Sequence, residues 1–289
     1  MTAAAPRTRA ELFAGAAYDP SAAPGGLLAW QRPTGVALLQ HGDAAAVGLP
    51  GRNPAVGPGR VAWREGDRLV VADPASLAPV AAYDAPGAGA FALSELWLAW
   101  RVRDANGADR IWVRSPVPTA RPRAVAGAAA PGELGRPALA GDLLLFHQAG
   151  PAGSRLVALD LATGRREVLR TEPGAMLSNP ATDGRRLLYV HATGRTQELR
   201  IGPLRPRDPA QDTAVLTAPS PGQRDPEHEP GHARTRPQIP LPPLARHGVD
   251  DTLWTTALTT THAYVTRLRT SRRAPRSSDI LRVPVPRAG

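Results

Sequence analysis

The sequence predicts an all-β chain folded as a single β-propeller of six four-stranded blades, its last blade closed by an N-terminal strand. Two observations carry this reading. An alanine is followed eight residues later by a large aromatic at Ala22/Trp30, Ala55/Trp63, Ala92/Trp100, Ala138/Phe146 and Ala181/Tyr189, and seven residues later at Ala257/Tyr264. Successive alanines lie 33, 37, 46, 43 and 76 residues apart, and a period of roughly 40 residues built from short strands is the signature of propeller blades.

Each element of the repeat has its own signal. Turn chemistry separates the alanine from the aromatic, as in Pro24-Gly25-Gly26, Gly57-Pro58-Gly59, Ser94-Glu95, Ala140-Gly141-Asp142 and Asp183-Gly184; such residues tolerate positive φ or preset a bend. Apolar second strands follow, for example Leu96 to Trp100 and Leu143 to Phe146. Third strands are expected at Val36 to Leu39, Arg68 to Ala72, Arg110 to Val113, Arg155 to Leu159, Glu198 to Ile201 and Asp279 to Val283. Weaker fourth strands follow near 44–47, 79–83, 123–125, 167–169 and 214–216. Neighbouring blades cover both faces of each sheet, so the middle strands can be apolar throughout instead of alternating.

The last interval has the length of a further blade. However, the stretch from Leu204 to Asp251 is too rich in proline to supply four strands, because proline cannot donate to a ladder. It reads as one outer strand and a long loop. The final repeat then has three strands, and its missing outer strand is expected from Glu11 to Tyr18, which leaves no open edge. The domain reading is a flexible N-terminus over 1–10 and one propeller over 11–289, with a Pro-rich inserted loop at about 220–250.

All 35 basic residues are arginine, and the net charge is +10. The excess is uneven: residues 1–150 carry 14 arginines against 12 acids, residues 151–289 carry 21 against 13. Cysteine is absent, which excludes a disulfide framework and a thiolate metal site. No apolar run approaches the ~18 residues of a spanning helix. No signal-peptide core follows Arg7 and Arg9, so a cytoplasmic protein is expected if the N-terminus is complete, and a periplasmic or secreted one if an export signal precedes it. A monomer is the default expectation.

The fifth repeat carries a family resemblance. Asn179-Pro180-Ala181-Thr182-Asp183-Gly184-Arg185-Arg186-Leu187-Leu188-Tyr189-Val190 resembles the repeat of TolB-like, WD40-like propellers, roughly Pro-x-Trp-Ser-Pro-Asp-Gly-Arg-x-Ile-Ala-aromatic. The proline, the Asp-Gly-Arg turn and the apolar-aromatic strand match; Ala181-Thr182 replaces the Trp-Ser-Pro centre. Arg136-Pro137-Ala138-Leu139 and Asn53-Pro54-Ala55-Val56 match more loosely. The resemblance implies the fold. TolB-like propellers serve as protein-binding platforms in the bacterial envelope and others as lids on serine peptidases, but the chain as written shows neither TolB's additional N-terminal domain nor a hydrolase domain.

Signals for an enzyme are sparse. Gly-x-Ser-x-Gly, phosphate-loop and dinucleotide glycine patterns are absent. Asp225 to His232 gathers two histidines and three acids, yet Pro226 and Pro230 disfavour the helix that would align His228 with His232; a solvated loop is the simpler reading, and no catalytic residue, metal ligand or cofactor is assigned. His147 and His191 follow the aromatics of their blades and could share a face. Trp30, Trp63, Trp97, Trp100 and Trp112 read as packing between blades, whereas Trp254 on the innermost strand of the last blade is the tryptophan expected to face the channel.

Geometry supplies the remaining expectation. Loops joining second to third strands, and one blade to the next, emerge on one face of a propeller. Arg101, Arg103, Arg195 and the hairpin from Arg267 to Ser278, with Arg267, Arg269, Arg272 and Arg273, belong to that face, as does the Pro-rich insertion. These arginines and Trp254 are the candidate binding residues. A platform for a protein or peptide partner is the expected function. The alternative is a binder of an anionic ligand, glycan or nucleic acid through this arginine-rich face, since guanidinium groups match carboxylate and phosphate bidentately.

Overall fold

The computed structural model describes residues 11–40, 45–117, 119–151, 153–194, 196–205, 211–219, 250–270 and 277–285. The chain opens with β1 (Glu11–Gly15), then runs through the first blade, β2 (Tyr18–Ala22), β3 (Leu28–Arg32), β4 (Gly35–Leu39) and β5 (Val47–Leu49). The second blade is β6 (Arg52–Gly57), β7 (Arg60–Glu65), β8 (Arg68–Ala72) and β9 (Pro79–Asp84), and the third is β10 (Ala88–Leu93), β11 (Leu98–Arg103), β12 (Asp109–Arg114) and β13 (Arg123–Ala128). The fourth holds β14 (Glu133–Leu134), β15 (Ala138–Ala140), β16 (Leu143–Gly150), β17 (Gly153–Asp160) and β18 (Arg166–Thr171). The fifth is β19 (Met176–Thr182), β20 (Arg186–Ala192), β21 (Thr196–Pro203) and β22 (Thr213–Pro219), and the sixth is β23 (Asp250–Leu258), β24 (His262–Thr270) and β25 (Ser277–Pro284).

Six antiparallel sheets result, and no α-helix occurs among the described residues. The sixth sheet has the order β1-β25-β24-β23, so the N-terminal strand is its outer edge, as the unplaced Glu11 to Tyr18 segment predicted. Joining the first strand of the chain to the last blade ties the ring shut. In the fourth blade the inner strand is broken into β14 and β15, both paired with β16, because Gly135-Arg136-Pro137 interrupts the ladder.

Apolar cores fill the gaps between blades rather than one centre. Trp30 packs with Ala257 and Ile280 between the first and last blades, Trp63 with Val36 and Leu38 between the first and second, and Trp100 with Leu69 and Val71 between the second and third. Phe146 packs with Ile111 and Val113, Tyr189 with Leu145 and Leu156, and Val265 with Val190 and Leu199. Burying such side chains contributes about 1.5–3 kcal/mol each, and the repeated aromatic takes part in every one of these cores except that between the fifth and sixth blades. Trp97 and Trp112 pack partly buried against these cores.

The register refines the repeat. Ala55, Ala92, Ala138 and Ala181 pair with the residue just before the aromatic, namely Ala62, Ala99, Leu145 and Leu188. In the first blade Ser21, not Ala22, holds that position opposite Ala29, and in the last it is Leu258 opposite Ala263. The alanine repeat is therefore one residue out of phase at Ala22 and Ala257. A bulge lies just before this position in five of the blades: the inner strands shift register between Tyr18 and Ser21, Arg52 and Ala55, Ala88 and Phe91, Ser178 and Ala181, and Leu253 and Thr256.

Candidate functional site

The bulges place one set of residues around the axis. Four inner strands carry a residue followed by proline and then alanine or serine: Asp19-Pro20-Ser21, Asn53-Pro54-Ala55, Arg136-Pro137-Ala138 and Asn179-Pro180-Ala181. Asp19, Asn53 and Asn179 adopt φ of 53°, 52° and 50°, a left-handed conformation that asparagine and aspartate accept more readily than other side chains. The four come from the first, second, fourth and fifth blades, so Asp19 lies opposite Arg136 and Asn53 opposite Asn179 in a ring of six.

Arg136 crosses this space. Its Nη1 lies 3.4 Å from Asp19 Oδ1 and its Nη2 donates to the Pro54 carbonyl at 3.2 Å. Burial disfavours the Arg136 charge and pulls its pKa down, while Asp19 opposes that shift. Asn53 Nδ2 donates to the Gly89 carbonyl at 3.1 Å, and Thr256 Oγ1 donates to the Asn179 carbonyl. What remains open at the axis is a cavity of about 50 Å³, lined by Arg136, Ser21 and mostly apolar residues.

A second ring of polar side chains, on the second strand of each blade, reaches to the inner strand of the next. Gln31, directly after Trp30, accepts the Asn53 N–H at 2.7 Å. His147, directly after Phe146, accepts the Asn179 N–H through Nδ1 at 3.3 Å. Thr266 accepts the Asp19 N–H at 3.2 Å. Arg64 and Arg101, at the same place after their tryptophans, donate instead to the carbonyls of Ala88 and Leu134. Between the fifth and sixth blades the task falls to Gln197 on the third strand, which accepts the Leu253 N–H at 2.8 Å. Every junction between consecutive blades thus carries a polar tie beside its apolar core.

Two of the candidate arginines serve such ties. Asp109 is fully buried and accepts Arg103 Nε at 2.9 Å, Arg103 Nη2 at 2.7 Å and the Leu134 N–H at 3.0 Å. Arg101 adds Nε at 3.9 Å from Asp109 and Nη1 at 3.5 Å from Glu133. Burial works against the Asp109 charge, yet the Arg103 and Leu134 hydrogen bonds and Arg101 nearby hold its carboxyl below the usual range. Arg267 is a strand residue of β24 rather than a hairpin residue, and its Nη2 lies 3.0 Å from Asp279 Oδ2. Arg269 also falls within β24. Arg195, Arg272 and Arg273 lie outside the described residues, as does most of the Pro-rich insertion and the Asp225 to His232 cluster. Trp254 is half-buried in β23 and belongs to none of the apolar cores.

The two histidines have separate surroundings. His147 is buried, and a Cβ on Gly135 would overlap its ring, so the missing side chain there gives the imidazole its room. Burial first, and Arg101 second, lower its pKa to about 4 against the pull of Asp109. His191 lies between Glu172, with Nε2 2.9 Å from Oε2, and Glu198, with Nδ1 3.7 Å from Oε2; Arg200 joins both carboxylates. Tyr189 donates to Asp212 Oδ2 at 2.8 Å, and Arg170 holds Asp212 through Nε at 2.6 Å and Nη2 at 2.8 Å. Burial, then Asp212, raises the Tyr189 pKa well above its ordinary value. Among the described residues His147 and His191 share no partner and form no dyad.

Among solved structures the chain is similar to an oligogalacturonate lyase in complex with manganese, at TM-score 0.53 and 12% identity over 96% of each chain. It is similar to a putative TolB from Agrobacterium tumefaciens at 0.52 and 11%, over 79% of this chain and 74% of that one. The fold is TolB-like. The chain spans 60% of the length of TolB from Acinetobacter baumannii, with TM-score 0.47 and 14% identity over 90% of its own residues. No protein-family model and no curated protein matches the sequence. At these identities the TolB-like likeness is one of backbone architecture.

Proposed function

We propose that this protein is a non-catalytic platform that binds a protein or peptide partner on the face where second-to-third-strand loops and blade-to-blade connections emerge. One observation carries the reading: Arg136 bridges the axis to Asp19, and the remaining cavity of about 50 Å³ is far below the ~300 Å³ at which small-molecule pockets begin. Two buried titratable groups, Asp109 and His147, are engaged in ties between blades. A partner would therefore be met by exposed loops and not by a pocket.

The enzyme in the comparison binds manganese. Among the described residues no three histidine, aspartate or glutamate side chains are placed to hold a metal, and the Asp225 to His232 cluster lies outside them. The alternative of an anionic ligand at the arginine-rich face keeps Arg195, Arg269, Arg272 and Arg273 as its candidates, while Arg101, Arg103 and Arg267 each lie against a carboxylate.

The test compares two sets of exposed substitutions in affinity capture from native lysate, at low and high salt. Arg32→Glu with Arg52→Glu, and Arg272→Ala with Arg273→Ala, alter the proposed face; Arg121→Glu with Arg185→Glu alter the opposite one. A single partner that withstands high salt and is lost only with the first set supports the platform. Loss only with the second set, or no specific capture, overturns it. Capture that vanishes with salt and with Arg272→Ala/Arg273→Ala moves the anionic ligand to the front.

A further inference from the structure

Among the described residues Arg136 is the one charged residue in the wall of the axial cavity, where it stands with Ser21, Thr182, Thr256, Leu93 and Leu139 among others. Asp19 meets the guanidinium but does not line the cavity. A guanidinium has five N–H donors and no acceptor. One Arg136 donor goes to the Pro54 carbonyl and Nη1 approaches Asp19. The side chain is only 12% exposed, and none of its nitrogens is a fully buried atom without a partner, so its remaining donors open onto the cavity.

The other polar groups of the wall sort by their protons. Thr182 donates to the Arg186 carbonyl and Thr256 to the Asn179 carbonyl, so both hydroxyl protons are spent. Ser21 Oγ accepts the Val56 N–H at 2.9 Å, which leaves its own proton to give. The cavity thus combines remaining guanidinium donors with a hydroxyl donor, and has no carboxylate in its wall. A cation finds nothing there to neutralise it. The volume of about 50 Å³ holds a few water molecules, each needing at least about 10–15 Å³ on this measure, and so has room for a bare halide.

We propose that the axial cavity is a binding site for a small monovalent anion of halide size, held by the Arg136 guanidinium and the Ser21 hydroxyl. The anion would draw the fourth blade to the first and second through Arg136, and so bind the closed ring in preference to the unfolded chain.

Bromide tests it on the full-length protein. Crystals grown in bromide should show an anomalous peak within hydrogen-bonding reach of Arg136 and Ser21. At fixed ionic strength, replacing gluconate by chloride or bromide at tenfold over the dissociation constant should raise Tm by about 2–4 °C. Ser21→Ala, which keeps the cation but loses the acceptor of the Val56 N–H, is read against its own halide-free Tm and should weaken the apparent halide affinity several-fold, and Arg136→Gln should abolish the response. Where Arg136→Gln fails to fold, Ser21→Ala and the bromide peak decide. Water alone in the cavity overturns the proposal, as does a Tm indifferent to halide, which would make any peak an adventitious ion only. A rise in Tm without a peak at Arg136 also overturns it, since the halide would then act elsewhere.

Discussion

Arg136 and Asp19 face each other from opposite blades, Nη1 to Oδ1 at 3.4 Å, and form an ion pair that spans the propeller axis. The pair couples the closure of the ring to electrostatics at its centre. Asp19→Asn keeps the shape and the tolerance for the left-handed backbone, and removes only the counter-charge. An uncompensated guanidinium in the interior is strongly destabilising; with Asp19 21% exposed and partly screened, a loss of about 2–3 kcal/mol is expected. Asp19→Asn/Arg136→Met should recover part of it, with a coupling of at least about 1 kcal/mol in urea unfolding. Additive losses would show that the pair does not act as one unit.

His147 makes stability depend on pH. Nδ1 accepts the Asn179 N–H, so the folded state needs the neutral ring. Its pKa falls from 6.5 to about 4 on folding. The unfolded chain therefore takes up the proton first as pH drops. The contribution is fully present above about pH 6.5 and is lost progressively down to pH 4, by roughly 3 kcal/mol in all. Gln31 performs the same capping task in the first blade without titrating. His147→Gln should keep neutral-pH stability within about 1 kcal/mol, the scale of one hydrogen bond, and flatten the slope between pH 4 and 6.5. An unchanged slope would assign the acid sensitivity to other groups.

The blade repeat was legible in the sequence because it rests on local chemistry. An apolar strand, a turn and a large aromatic recur in every blade, and each aromatic lies in an apolar core between neighbours. The closing strand was legible by elimination, since Glu11 to Tyr18 had no other place. The axis was not. Its signal was present as a residue-Pro-Ala or residue-Pro-Ser triplet at Asp19, Asn53, Arg136 and Asn179, but the last three read only as parts of the TolB-like repeat, and the chain must fold before the four stand in one ring. Arg101 and Arg103 were assigned to binding because basic loops suggest anions. Sequence spacing cannot reveal that Asp109, six residues beyond Arg103, turns back to meet it. Arg267 was assigned to a hairpin, and the strand continues through it because it pairs with Asp279 across the ladder.

Gly135 offers an independent check on the position of His147. A Cβ at residue 135 would overlap the imidazole, whose ring has little room to move in a buried site. Gly135→Ala should therefore cost about 1–3 kcal/mol, the range for overpacking. In the His147→Ala background the same substitution should cost markedly less, because the added methyl enters vacated space. Equal costs in both backgrounds, measured by thermal unfolding, would place the ring elsewhere.

Arg103 separates the structural role of the arginines from a binding role. It holds Asp109 bidentately, and Asp109 retains the Leu134 N–H and the nearby Arg101 when Arg103 is removed. Arg103→Ala should thus lower stability by about 1.5–3 kcal/mol, the range for hydrogen bonds to a charged group. Asp109→Asn should cost at least as much, about 2–3 kcal/mol after screening of the partly exposed Arg103 and Arg101, because both guanidinium groups lose their buried counter-charge. On the platform reading, Arg103→Ala measured well below its Tm leaves partner affinity unchanged. A partner affinity reduced tenfold with stability intact would instead put the Arg103 guanidinium in the interface and return the arginine-rich face to the leading role.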